Sequence, residues 1–458
     1  MYKVNRILSI IGILFLVLAC RKYQSNFTYG DQDFLAGGSQ TSFESGSGAF
    51  GEMYSGLNKE EVFLHELGDK AFESIFVSAP APIHGGLGPI FNAVSCSSCH
   101  VADGRGKAPE EGEALQSLLI RLSLPGSDAH GGPLDVPGFG GQFQQRAISG
   151  TQSEGDAQIL YTYIQGTYPD GSNYELRKPQ IQLSSTISGE LSTALTSARV
   201  APPVFGLGLL EAIPVSRLLA SEDPNDANND GISGRVNWVW DLEKKKLMVG
   251  RFGWKANTPN LLQQSAAAYN QDMGITNYLF PMESSFGQEQ YDGLDDDTEI
   301  TDQTLYAVAF YMRSLKAPAP RNWKDPEVIQ GKRLFDQFKC VACHTPMQQT
   351  DVNMAFVANS NQRFFPYTDL LLHDMGQGLS DQRPDFLASG NEWRTAPLWG
   401  IGLTEKVNGH SNFLHDGRAR NIEEAILWHD GEAQWSRNLY MQAPIASRNA
   451  LLRFLKSL

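Results

Sequence analysis

Two five-residue strings constrain this chain more than any other feature: Cys96-Ser97-Ser98-Cys99-His100 and Cys340-Val341-Ala342-Cys343-His344. Two thiols three positions apart, with a histidine directly after the second, form the pattern of c-type haem attachment. The thiols add to the haem vinyl groups, and the histidine meets the iron from the proximal side. The 458 residues hold 5 cysteines, and these four account for all but Cys20. Disulfides, a zinc site and a redox-active dithiol are the competing readings. A second complete string favours haem over each of them.

Cys20 has its own context. Lys3 and Arg6 make a basic start, Ile7 to Leu18 is a short apolar run, and Val17-Leu18-Ala19-Cys20 follows. This is the pattern of a lipoprotein signal peptide over residues 1–19, with Cys20 as the lipidated first residue of the mature chain. The run is shorter than the roughly 20 apolar residues that span a bilayer, which disfavours an uncleaved transmembrane anchor. The expectation is a protein of the bacterial cell envelope, held to the membrane through lipid on Cys20 and facing the periplasm or the cell surface. A net charge of -14 and a pI near 5.1 exclude nucleic acid as a partner, because phosphate binding requires a basic face.

The length is that of two or three domains. Residues 20–58 are rich in Gly, Ser and Gln and read as a flexible tether. From Lys59, apolar residues recur at helical spacing up to Phe76, and Cys96 follows. A second helical stretch runs from Gln303 to Leu315 and ends at Pro318 and Pro320. The order then repeats. Asp325-Pro326 opens a helix as cap and first residue, Cys340 follows, and the chain ends in an apolar helix reaching Leu458. The predicted fold is therefore mainly α: two cytochrome c-like domains, 59–318 and 321–458, the first with a large loop-rich insertion. Within that insertion Gln158–Gly166 reads as a strand.

Longer strings resemble a known family. They are Gly88-Pro89-Ile90-Phe91-Asn92, Asp103-Gly104-Arg105-Gly106, Gly206-Leu207-Gly208-Leu209-Leu210-Glu211-Ala212, Asp230-Gly231-Ile232-Ser233-Gly234-Arg235 and Gly250-Arg251-Phe252-Gly253-Trp254-Lys255. The second half adds Asp369 to Gly376, Phe413-Leu414-His415-Asp416-Gly417-Arg418, and Asn421 to His429. In this the chain resembles the di-haem oxidoreductases related to bacterial di-haem cytochrome c peroxidases, whose members are also labelled thiol oxidoreductases. The resemblance implies a peroxidase-like enzyme in which the C-terminal haem passes electrons to an N-terminal haem that reduces peroxide. A redox protein or small electron donor would be its partner. A non-catalytic electron-transfer lipoprotein is the alternative.

The proximal ligands follow from the strings themselves: His100 and His344. For the second haem the distal candidate is His429. Ile422, Ala425, Ile426 and His429 share one helix face behind an Asn421–Glu424 capping box. A core histidine bonded to a carbonyl is the plainer reading. The resemblance places an axial methionine at the matching position, which makes His429 a departure; Met375 and Met441 are runners-up, and His373 and His415 lie near the haem. For the first haem, His65, His84 and His130 are the histidines on offer. The resemblance makes Glu211 a candidate for proton transfer, Arg199 or Arg251 a candidate to stabilise departing hydroxide or to pair with a propionate, and Trp254 an electron bridge. A salt-bridged glutamate and a core tryptophan are the alternatives for Glu211 and Trp254. Asp226, Asn228, Asp230 and Gly231 match the opening of a calcium loop but lack its twelfth-position glutamate, since Asn237 stands there. A calcium ion and a solvated Asn/Asp turn are both open for these residues.

Overall fold

The computed structural model describes residues 32–294 and 298–458. The predicted signal peptide, Cys20 and the start of the tether lie outside the described residues. Leu35–Leu458 form one compact unit; Met1–Phe34 are a separate one, of which only residues 32–34 are described.

Six helices carry the haem-string regions: α1 Lys59–Glu73, α2 Leu261–Met273, α3 Asp302–Arg313, α4 Pro326–Gln337, α5 Ile422–Leu427 and α6 Ile445–Ser457. Their starts are set by local chemistry. Asn58 caps α1 in a capping box with Glu61, and Asp325 caps α4 with Pro326 in the first turn. At α5 only half of the expected capping box forms. Asn421 accepts from the Glu424 amide, but the Glu424 carboxylate reaches back to Arg420 instead.

The two halves share one crossing. α1 packs on α3, and α4 packs on α6. Each crossing is closed by a glycine: a Cβ on Gly68 would sit 2.0 Å from the Ala307 carbonyl oxygen, and one on Gly331 would sit 1.9 Å from that of Ala450. Glycine lets the two helix backbones touch, a requirement of close approach.

The mainly α expectation is wrong for the chain as a whole. Helix accounts for 27% of the residues and strand for 19%. The insertion, expected as loop-rich with a strand at Gln158–Gly166, is where most of the strand lies: β1 Leu118–Ser123, β2 Gln142–Phe143, β3 Gly155–Thr167, β4 Asn173–Ser185 and β5 Leu195–Val200. β3 and β4 form a 13-residue antiparallel hairpin, in register from Gly155 opposite Ser185 to Thr167 opposite Asn173. Ala157, Ile159 and Tyr161 are buried between exposed neighbours, the alternation of a half-buried strand. The remaining strands are two to six residues long, too short for a period to show in the sequence.

The sheet β2-β1-β5 carries the insertion into the first half. Leu118, Ile120 and Leu122 bury one face, while Leu119 and Arg121 on β1 and Arg199 on β5 reach the cavity described below. The expected tether is also built in from Leu35 onward. Thr41–Ser42 run parallel to Ala317–Pro318, and Phe50 and Tyr54 are buried, with Phe50 stacked 4.2 Å from Phe205. Gly and Ser content described solvation there, and the aromatic residues between them decided the packing. Among the described residues, no helix is long and apolar enough to cross a membrane.

Candidate haem-binding sites

Each C-x-x-C-H string folds as a single tight turn. The His100 amide donates to the Cys96 carbonyl at 3.0 Å, and the His344 amide to that of Cys340 at 3.0 Å. The turn places both thiols and the imidazole toward the same region. All four thiols are unpaired. Burial pushes Cys96, Cys99 and Cys340 up to about 12 and raises Cys343 as well, so none is a reactive thiolate at neutral pH. Among the described residues no cluster of three or more His, Cys, Asp or Glu side chains is arranged to hold a metal ion directly.

The proximal imidazoles are held alike. His100 Nδ1 donates to the Pro202 carbonyl at 2.7 Å, and His344 Nδ1 donates to that of Tyr367 at 3.0 Å. A carbonyl only accepts, so the proton sits on Nδ1 and Nε2 keeps its lone pair for a metal. Burial drops both histidines to about 4, with His429 adding to the effect at His344. Both are neutral at physiological pH, as ligation requires.

The distal sides differ. The rings of His344 and His429 lie with centroids 6.4 Å apart and planes tilted by 43°. Metal–imidazole bonds of about 2 Å on opposite sides of one ion, plus about 1 Å from each nitrogen to its ring centre, give about 6 Å. His429 Nδ1 donates to the Ala425 carbonyl at 2.6 Å, so its Nε2 too is left without a proton. His100 has no such counterpart among the described histidines. It opens onto a cavity of about 480 Å³, within the range of about 300–1,000 Å³ that cofactor pockets occupy.

That cavity has the chemistry of a haem pocket: apolar walls, from Phe50 and Phe72 to Trp254 and Phe413, with arginines among them. Arg105 is the most telling. Its guanidinium lies 5.4 Å from the Trp254 and Phe413 ring centres, its Nη2 donates to the Leu414 carbonyl at 2.7 Å, and its buried Nε has no partner. A propionate would satisfy that Nε, so the residues present fit the group. The Tyr269 hydroxyl, also buried on the cavity wall, is likewise without a partner.

A family model described as "Di-haem oxidoreductase, putative peroxidase" matches residues 31–458, nearly the whole chain. The chain belongs to this di-haem oxidoreductase family. No curated protein matches it. Among solved structures, a chain of Kuenenia stuttgartiensis hydrazine synthase is similar over 89% of this chain and 96% of that one, at 13% identity and a TM-score of 0.34. A likeness that distant carries no argument about fold or activity.

The other expected site residues of this di-haem oxidoreductase fall into different surroundings. Trp254 lines the cavity beneath Arg105 and donates through Nε1 to the Val200 carbonyl at 2.8 Å. Its own carbonyl accepts from the Arg394 amide in the second half. Arg199 also lines the cavity, but Asp385 at 2.5 Å and Asp381 at 3.6 Å hold its guanidinium. Arg251 lies elsewhere, donating to the carbonyls of Leu210 and Ile213. Glu211 is not on the cavity wall. Arg313 holds its carboxylate at 2.5 Å, and the Leu261 amide donates to it at 2.8 Å, which is the salt-bridged alternative.

His65, on α1, bonds Ser314 at 2.8 Å, His84 lies against Phe76, and His130 stacks on Trp240 on the cavity wall. His415 stacks on Trp393 at 3.6 Å. His373 is clamped between Asp369 at 2.9 Å and Glu432 at 2.8 Å, beside the Cys343 sulfur. His429 lies with its ring centroid 6.4 Å from that of His344 and is kept ahead of Met375 and Met441 as the candidate there. Asp226, Asn228 and Asp230 accept hydrogen bonds from the amides of residues 230–232, the geometry of an Asn/Asp turn.

Arg105 and Tyr269 had no role assigned from sequence. Arg105 stood in a string that carried the family likeness; Tyr269 had no signal, because only folding places α2 on the cavity.

Proposed function

We propose that this protein is a lipid-anchored, di-haem c-type oxidoreductase that reduces peroxide at its N-terminal haem with electrons collected by its C-terminal haem. The reading is carried by one asymmetry: His344 faces a second histidine, whereas His100 faces a cavity. An iron with two imidazoles suits electron transfer, and an iron with one side free suits substrate chemistry.

Cys96, Cys99 and His100 would hold the first haem, and Cys340, Cys343, His344 and His429 the second. Haem supplies reversible one-electron change and, where a coordination place is open, a Lewis-acidic site for peroxide. The protein residues do the rest. Pro202 and Tyr367 fix the tautomers of His100 and His344, and the buried Arg105 would offset propionate charge. Trp254 links the cavity wall to the second half through Arg394, a short covalent and hydrogen-bonded route between the two halves. The overall change is hydrogen peroxide plus two electrons and two protons to two waters.

The test is an optical titration of protein matured with a haem-attachment system, oxidised and half-reduced, with and without peroxide. A high-spin signal at one haem that responds to peroxide, with turnover on an added reductant, is expected. Two low-spin haems unchanged by peroxide would make this an electron carrier. The anchor has its own test: Cys20→Ser should move the protein from the membrane to the soluble fraction, and an unchanged membrane fraction would refute lipidation there.

A further inference from the structure

The two halves repeat in more than their helix crossings. The segment from Phe252 to Asn260 recurs from Phe413 to Asn421, each position 161 residues later. The match is conformational and runs position by position. Phe252 pairs with Thr258 across a short loop, and Phe413 pairs with Ala419 in the same way. Inside the first loop Gly253 and Ala256 have positive φ, +77° and +48°; inside the second, Leu414 and Gly417 do, +69° and +71°. Two residues with side chains, Ala256 and Leu414, hold this left-handed conformation, each at the place where the other loop has a glycine, which is costly outside glycine and marks a specified loop. Each loop then ends on an asparagine that caps a helix. Asn260 accepts from the Gln263 amide at 2.8 Å to start α2, and Asn421 accepts from the Glu424 amide at 2.9 Å to start α5.

The same offset continues past the caps: α2 runs on to Met273, whereas α5 ends at Leu427 and His429 follows it by two residues. Eight residues beyond Asn421 stands His429, which faces His344. Eight residues beyond Asn260 stands Ala268, and Ala268 lines the cavity onto which His100 opens. The position that supplies an imidazole in the second half supplies only a methyl group in the first.

We infer that Ala268 is the residue that keeps the distal face of the first haem open. It sets the coordination difference between two otherwise duplicated sites. A methyl has no lone pair and leaves room where an imidazole would stand. Tyr269, the next residue and on the same wall, has a hydroxyl with no protein partner to compete with a small oxygen ligand. The inference rests on the haem reading above and names the determinant of the open site.

The experiment uses full-length, haem-loaded protein with two haems per chain confirmed by pyridine haemochrome. Oxidised wild type should show one high-spin haem that imidazole converts to low spin. Ala268→His should make that haem low spin without imidazole and abolish its response to imidazole and, after reduction, to carbon monoxide. Ala268→Met is the second variant if the histidine does not fold, and it should close the same site with a methionine-ligated signature. Wild type with two low-spin haems inert to imidazole would overturn the assignment. So would a fully loaded Ala268→His or Ala268→Met protein that still binds imidazole as wild type does. A high-spin wild type that fails to turn over peroxide would sink the peroxidase reading and leave the role of Ala268 standing.

Discussion

Replacing Gly331 by alanine probes the helix crossing that supports the second haem site. The added Cβ would lie 1.9 Å from the Ala450 carbonyl oxygen and 2.7 Å from the Phe454 Cβ. A carbon–oxygen contact settles at about 3.3 Å, so α4 and α6 would have to part by roughly 1 Å or more. Overpacking of this kind costs about 1–3 kcal/mol, and the upper end applies because the obstacle is helix backbone that cannot rotate away. Alanine returns about 1 kcal/mol through its better helix propensity. The net expectation is a loss of about 2 kcal/mol. Gly68→Ala meets the Ala307 carbonyl at 2.0 Å and should behave alike. Gly48 has nothing within 4 Å of its ideal Cβ, so Gly48→Ala is the control, expected within about 0.5 kcal/mol of wild type. Urea denaturation of loaded protein, followed by tryptophan fluorescence with the slope held constant, measures all three. A Gly331→Ala protein as stable as the control would refute the claim that backbone contact closes this crossing.

Three further outcomes follow from the same geometry. Arg105→Gln removes the cation whose Nε has no protein partner; haem content should hold at two per chain while the first haem's potential falls, and an unchanged potential in spectroelectrochemistry would remove Arg105 from that site. Glu211→Gln should lower stability through the lost Arg313 pair yet leave peroxide turnover nearly unchanged, whereas a collapse in turnover at full haem loading would restore a catalytic role for Glu211. Burial raises Glu154 to about 9, so the folded protein keeps its proton where the unfolded chain has lost it. Stability should therefore be highest below the unfolded carboxyl value of about 4.5 and fall as pH rises toward 9. Glu154→Gln should flatten that dependence, and parallel stability–pH curves for the two proteins would refute it.

Much of the haem chemistry was legible because it is local. A C-x-x-C-H string needs only a turn to bring its three side chains together, and both strings form that turn. Helix starts were legible for the same reason: Asp325-Pro326 and Asn421 act on amides two or three residues away. The His429 candidate came from helix period and resemblance; the helix ends at Leu427, and the ring beyond it lies with its centroid 6.4 Å from that of His344. Strand content was legible only in part: Gln158–Gly166 read as a strand and lies within β3, but the other strands did not show. Pairings such as β1 with β5 join residues far apart in sequence, and two- to six-residue strands carry no period to detect.

What the sequence indicated by itself was the number of C-x-x-C-H strings, the proximal candidates within them and the family, because each depends on residues within a few positions of one another. Tertiary structure decided which side chains meet the cavity. It drew Glu211 to Arg313 and Arg199 to Asp385, and left Arg105 and Tyr269 facing the cavity with a polar atom unpaired. A charged side chain's role depends on which opposite charge folds against it, and that partner lies about a hundred residues or more away in each case: Arg313 for Glu211, Asp385 for Arg199. The contrast between Ala268 and His429 needed both. The letters are in the sequence, but their equivalence shows only when two loops of the same shape end on capping asparagines and aim their helices at two facing histidines in one half and an open cavity in the other.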